Sequence, residues 1–330
     1  MDGVGLGSLP GTDFPGALRW VLDELGPTAF LPELPARGPG SGIIGRGVAL
    51  LDGLGADLQP SGWRLTPGRG ADQRRAVAQW RRDLDDLEEQ AAGYDGSLRV
   101  AVVGPLTLAA GVSRPLGDLV LADHGARREL AASLASGVGE AFAEIARRVP
   151  QVRLTAQVDE PMLPLVLAGG VPTASGFSRH RRVEPAEAVA ALRLLRDALE
   201  PTTADVVLHC CAPGLDLDVV RRSGIDGVSV DAGTLDTRGW DAVAQWLEAE
   251  GRLVLGVVPT DRPDRVPALD DVVRAAVQAL GRLELDPALL VSRTDLSPAC
   301  GLGLWTPGPA RQVLSLVKRA APLVAEQLSR

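Results

Sequence analysis

The 330-residue chain carries only three cysteines, three histidines and 3% aromatic residues. Three cysteines, Cys210, Cys211 and Cys300, are too few to staple a chain of this length as a disulfide scaffold, so a thiol or metal role in a reducing compartment is expected. No run of about 18 or more apolar residues occurs, so no membrane span is expected. The opening residues, MDGVGLGSLPGTD, lack both the basic segment and the apolar core of a secretory signal, which points to a cytoplasmic protein. Excess positive charge is also missing. A net charge of -8 disfavours nucleic acid as the main partner, because phosphate binding needs clustered Lys and Arg. The one compact basic run, Arg179-His180-Arg181-Arg182, reads as a solvated loop, with an anion contact near a pocket as the other reading.

What is present is enough apolar material for a large core, at 45% hydrophobic and 23% charged residues. Short apolar runs predict strands near residues 4–7, 29–31, 99–103, 153–158, 205–209, 227–230, 252–257 and 289–293. Several are rich in Val, Leu and Ile without polar alternation, as parallel strands covered on both faces require. Three- and four-residue apolar spacing predicts helices over 72–92, 126–148, 185–199, 240–250, 269–283 and 309–328. Gly and Pro cluster at 36–47, 67–70 and 169–176, which read as loops rather than linkers, so residues 1–330 form one domain. Eight strands in alternation with helices is the count of an α/β, single (β/α)8 TIM-type barrel, with a doubly wound open sheet as the alternative. In such a barrel chemistry belongs at the C-terminal strand ends.

The strongest local signal is Val206-Val207-Leu208-His209-Cys210-Cys211-Ala212-Pro213-Gly214, an apolar strand running into His-Cys-Cys and a turn. Strand alternation puts His209 and Cys211 on one side and Cys210 on the other. An imidazole and a thiolate on one side of a strand end suit zinc, although a buried cysteine is often only a small apolar residue. The next strand ends in Asp231, a further ligand or a turn cap. Cys300 follows the last predicted strand, so every cysteine falls on the rim where chemistry is expected, and His209, Cys211, Asp231 and Cys300 together make a four-ligand set. In Gln157-Val158-Asp159-Glu160-Pro161, Gln157 and Asp159 share a face, and Asp159 suits an ammonium group or orders a loop. Glu160 is expected to cap or brace a neighbouring element. In Leu6-Gly7-Ser8-Leu9-Pro10-Gly11-Thr12-Asp13, Gly7 permits close backbone approach and Ser8 with nearby N–H groups suits a carboxylate; a turn with Thr12 or Asp13 as N-cap is the plainer reading.

These motifs, in this order, resemble the catalytic half of cobalamin-independent methionine synthase. The resemblance is carried by Leu6-Gly7-Ser8, Gly104-Pro105-Leu106-Thr107, Gln157-Val158-Asp159-Glu160-Pro161, His209-Cys210-Cys211, Asp231 and Cys300-Gly301-Leu302, and covers nearly the whole chain. It implies a zinc-dependent transfer of a methyl group to the thiol of homocysteine, giving methionine. By resemblance His209, Cys211 and Cys300 are zinc ligands, with Asp231 where the family has Glu. Leu6, Gly7, Ser8 and Asp159 would hold the carboxylate and amino ends of homocysteine, Glu33 would be a second acid for the amine, and Asp159 and Ser8 are the expected catalytic pair. The donor side departs from the family: Gly111 stands near the place of a pterin-stacking Trp, and Pro259-Thr260-Asp261 lacks the family's His. A methylcorrinoid such as methylcobalamin, or a corrinoid protein as partner, is therefore the expected donor. Two alternatives stand beside this: a corrinoid-dependent methyltransferase for another thiol, in the related uroporphyrinogen decarboxylase-like barrels, and a zinc-binding barrel without turnover.

Overall fold

The computed structural model describes residues 1–330. In chain order the strands are β1 (Thr28–Phe30), β2 (Gly55–Gln59), β3 (Gly62–Thr66), β4 (Ser97–Val103), β5 (Val112–Ser113), β6 (Arg153–Asp159), β7 (Asp205–Cys210), β8 (Gly227–Asp231), β9 (Arg252–Val258) and β10 (Thr294–Pro298). The helices are α1 (Phe14–Leu25), α2 (Ile43–Ala49), α3 (Ala71–Gln90), α4 (Pro105–Gly111), α5 (His124–Arg148), α6 (Leu163–Leu167), α7 (Pro185–Leu199), α8 (Leu217–Ser223), α9 (Thr237–Glu248), α10 (Leu269–Gly281), α11 (Pro287–Arg293) and α12 (Pro307–Leu328).

Seven strands form one curled parallel sheet in the order β1-β4-β6-β7-β8-β9-β10. The order follows the chain without reversal, which excludes the doubly wound alternative, whose strand order reverses at a switch point. Leu98, Val100 and Val102 of β4, Leu154, Ala156 and Val158 of β6, and Val206, Leu208 and Cys210 of β7 join the main hydrophobic core of 84 residues shared with the helices. The alternating residues, among them Gln157, Asp159, Val207, His209, Ser229 and Val254, face the concave side. Residues 2–9 hydrogen-bond to both outer parts of this sheet. Val4 N–H donates to Leu296 O at 2.8 Å and Leu296 N–H to Asp2 O at 2.8 Å; Leu9 N–H donates to Glu33 O at 2.8 Å and Glu33 N–H to Gly7 O at 3.0 Å. Val4 and Leu6 meet Val207 and Val254 in a separate buried cluster of four residues. Each such side chain contributes roughly 1.5–3 kcal/mol by leaving water.

Aspartates start several helices: Asp13 accepts from Gly16 N–H at 3.1 Å, Asp123 from Ala126 N–H at 2.8 Å and Asp236 from Gly239 N–H at 2.8 Å. Helix α4 is capped differently. Glu160, one residue past β6, accepts from Leu106 N–H, Thr107 N–H and the Thr107 hydroxyl at 2.8, 2.9 and 2.7 Å, the bracing expected of it.

Two strand expectations need correction. Residues 289–293 lie in α11, where Asp286 caps the first turn and Pro287 opens it, and the strand is the following β10. Residues 4–7 form no regular strand and lie between two isolated parallel bridges, Gly3 with Leu296 and Ser8 with Glu33. Helix α2 begins inside the Gly-rich stretch read as loop and runs two residues past it, and the β2–β3 hairpin, with β5 beside β3, was unforeseen.

Candidate metal centre

His209 is the fifth residue of β7, Cys211 follows that strand directly, and Cys300 lies two residues past β10. The sheet and the turn after β10 bring their donor atoms within 4.8 Å of one another. The Cys211 and Cys300 sulfurs stand 3.1 Å apart and both thiols are free. Their contact holds one sulfur toward thiolate at the other's expense: the Cys211 thiol lies below its ordinary value, while Cys300 is pushed up to about 12 by that contact and by burial. The imidazole is held from the neighbouring strand, where Ser229 is the register partner of His209 and its Oγ lies 2.9 Å from Nδ1. That leaves Nε2, which is buried with no nitrogen or oxygen partner and faces the Cys300 sulfur. A buried polar nitrogen without a partner costs free energy, so it calls for a ligand. One imidazole and two thiols are the soft nitrogen and sulfur donors zinc takes, and three protein donors leave a position open. These residues fit the metal. Cys210 points the other way, into the core, where burial pushes its thiol up to about 12.

Asp231 does not join the three. Its Oδ1 accepts from Gly233 N–H at 2.8 Å, capping the turn over Ala232–Thr234. A carboxylate one methylene shorter than Glu is captured by the nearest backbone donor, which is the capping reading of this residue. Burial first, and then the neighbouring Asp261, push its carboxyl above the usual range.

The remaining sequence-predicted residues gather beside the sulfurs. Asp159 pairs in register with His209 and accepts from Gln157 Nε2 at 2.8 Å, and the same amide donates to Leu6 O at 3.1 Å. Burial pushes the Asp159 carboxyl up to about 7, with Glu33 and Cys300 adding in the same direction and His209 opposing them. Glu33 is buried against Arg46, with Arg46 Nε 2.8 Å from its Oε1, and the Arg46 guanidinium stacks 5.1 Å from the Trp80 ring. Gly7 has φ +100°, which favours glycine, and its Cα faces Glu33 and Ala101. A methyl at Gly301 would overlap the Ser8 hydroxyl, so Ser8 lies directly against the Cys300-Gly301 turn. Leu6 contributes its carbonyl here, because its side chain belongs to the concave apolar cluster.

Sequence reasoning missed Ser229 and Arg46 as site residues. Arg46 was hidden in the Gly-rich stretch. Ser229 lies two residues before Asp231 on the same face of β8, but only the register of β7 and β8 reveals that it meets His209. On the donor side, a side chain at Gly111 would overlap Ile44, and neither remaining histidine is near residues 259–261 in sequence. His124 bonds Glu187 at 3.1 Å and His180 lies 3.4 Å from Asp118. The three arginines of the basic run are exposed, with Arg182 paired to Glu184 at 3.1 Å, whereas His180 between them is buried.

No known family profile matches the chain, and no curated protein matches it in sequence. Among solved structures, a B12-independent methionine synthase from Shewanella sp. W3-18-1, in complex with selenomethionine, aligns with a TM-score of 0.63 at 14% identity, covering 99% of this chain and 98% of that one. A methylaspartate ammonia lyase from Clostridium tetanomorphum aligns at TM-score 0.48 and 10% identity, over 100% of this chain and 59% of the lyase. A β-galactosidase from Marinomonas ef1 gives TM-score 0.47 and 15% identity, over 100% of this chain and 60% of that one. At these identities the likeness is one of fold.

Proposed function

We propose that this protein is a zinc-dependent methyltransferase that methylates the thiol of homocysteine, working at the mouth of a (β/α)8 barrel in which residues 2–9 act as the closing strand. The observation that carries this reading is the convergence of the His209, Cys211 and Cys300 donor atoms within 4.8 Å, with the buried carboxylate Asp159 on the strand beside His209 and Glu33 acting on Asp159. The fold shared with a B12-independent methionine synthase supports it.

His209, Cys211 and Cys300 would hold the zinc, which supplies positive charge that keeps an acceptor thiol ionised near neutral pH. The chain's own residues do the positioning. Asp159, raised by burial, is drawn back to its ionised form when the acceptor's ammonium group arrives, and it then fixes that group. Glu33 supplies a second carboxylate whose orientation Arg46 sets. Ser8 and the backbone at Gly7 meet the acceptor carboxylate. Holding sulfur, amine and carboxylate at once aims the sulfur at the donor's methyl group, and the gain is mostly one of orientation. The sulfur lone pair forms the new bond to carbon, and the donor keeps the electrons of the bond that breaks.

The absence of histidine at 259–261 and of an aromatic side chain at Gly111 favours a methylcorrinoid over methyltetrahydrofolate, because a methyl-bearing amine leaves poorly without a proton donor. The test is one assay on reduced, zinc-loaded protein, offering methylcobalamin or methyltetrahydrofolate with and without homocysteine. Methionine formed mainly from methylcobalamin is expected. Turnover with the folate alone would reverse the donor assignment. Bound zinc without transfer from either donor would leave a zinc-binding barrel without turnover and overturn the enzymatic reading.

A further inference from the structure

Of the groups around the three donor atoms, one has no part in the reading above. Ser229 lies on β8, buried on the concave side, with its hydroxyl 2.9 Å from His209 Nδ1. A neutral imidazole carries one proton on one of two nitrogens, and only the bare nitrogen can bind a metal. Which nitrogen stays bare is decided by the bond the other one makes. Resting on the metal-centre reading, we propose that Ser229 is a positioning residue: its hydroxyl oxygen accepts a hydrogen bond from Nδ1–H, so His209 presents a bare Nε2 toward Cys211 and Cys300.

Three features carry this. Ser229 and His209 are register partners on adjacent strands, so the sheet ladder, not a flexible loop, sets the distance between them. On the other side of the ring Nε2 meets no nitrogen or oxygen partner and faces the Cys300 sulfur, so the Ser229 hydroxyl is the ring's one oxygen contact. Asp159, Glu33 and two thiols already lie around the site. A hydroxyl orients the ring without adding another negative charge to that set, as a carboxylate would.

The experiment pairs Ser229→Ala, which removes the acceptor with little change of volume, with Ser229→Thr, which keeps it. The ring tautomer is read by NMR on protein labelled with nitrogen-15 histidine, reduced and stripped of metal, with the His209 signals assigned by comparison with His124→Asn and His180→Asn. Zinc affinity is read on the same proteins by competition with a chromophoric chelator. Wild type is expected to show the Nδ1–H form. Ser229→Ala should shift toward Nε2–H and bind zinc about 10- to 100-fold more weakly, the usual loss for an outer partner of a ligating histidine. Ser229→Thr should restore both. An unchanged tautomer and unchanged zinc affinity in Ser229→Ala would overturn the proposal. Wild-type protein that binds no zinc would overturn the metal-centre reading, while the tautomer shift in the metal-free samples would still decide the part assigned to Ser229.

Discussion

At residue 231 a carboxylate oxygen is already engaged by the Gly233 N–H, whereas the Cys300 sulfur faces its partner at residue 211. The two positions should therefore respond differently to substitution. Asp231→Asn is expected to keep about one zinc per chain, while Cys300→Ser or Cys211→Ala loses it. Metal analysis of reduced, desalted protein checks this, and loss of zinc in Asp231→Asn would return that residue to the ligand set. A second outcome concerns Asp159. If it holds the ammonium group by a charge-assisted bond, Asp159→Asn should cost about 1.5–3 kcal/mol of acceptor binding, roughly 10- to 100-fold in kcat/KM for homocysteine. A thiol without an amine should be methylated at an unchanged rate, and equal losses for both acceptors would contradict the assigned role. The sulfur and imidazole donors were legible in the sequence because cysteine and histidine are scarce here and fall at strand ends. Ser229 and Arg46 were not, since a serine or an arginine is common and its partner is set by strand register and by a helix the composition concealed.

Among the elements, the long amphipathic helices were legible within a few residues because their apolar period repeats over several turns. Short elements were not. Pro287–Arg293 has an apolar run that suits either a strand or a helix, and its capping Asp286 with Pro287 was the signal that decides for helix. The junction between β4 and α4 shows how such local rules reach the site. Gly104 is needed because any side chain there would overlap the Glu160 carboxyl that caps α4. Gly104→Ala is expected to displace that cap and destabilise the fold by about 1–3 kcal/mol in urea denaturation, the cost of leaving buried donors unpaired. Glu160 also gives stability a pH dependence. Burial pushes its carboxyl from 4.5 up to about 7 despite the three donors it accepts from. Between those values the folded protein keeps a proton that the unfolded chain has released, so stability falls as pH rises through this window. Glu160→Gln should be less stable and show a shallower slope, with Asp159 supplying the remainder. A slope equal to that of wild type would show that Glu160 does not titrate there.

For the molecule as a whole, the sequence revealed the alternation of strand and helix and an extended segment at residues 4–7, but not that this segment would meet the sheet only through isolated bridges and hydrogen bonds. The deciding groups are backbone N–H and carbonyls of residues 2–9, which carry no side-chain signature. Their arrangement has a consequence that stability measurements reach. Leu6 sits on the opening segment, while Val207 and Val254 sit on β7 and β9, neither of which that segment borders. In an open sheet these side chains would be independent of one another. Across a closed interior they share one buried space, so truncating one alters the cavity left by another. Leu6→Ala should cost about 2–5 kcal/mol. In double-mutant cycles with Val207→Ala and Val254→Ala, at least one pair should show a coupling of roughly 0.5 kcal/mol or more, beyond the additivity expected of separated sites. Strict additivity in both cycles would mean that residues 2–9 do not close the sheet. The same result would weaken the wall that sets Gly7 and Ser8 against Glu33 and Cys300, on which the proposed acceptor site rests.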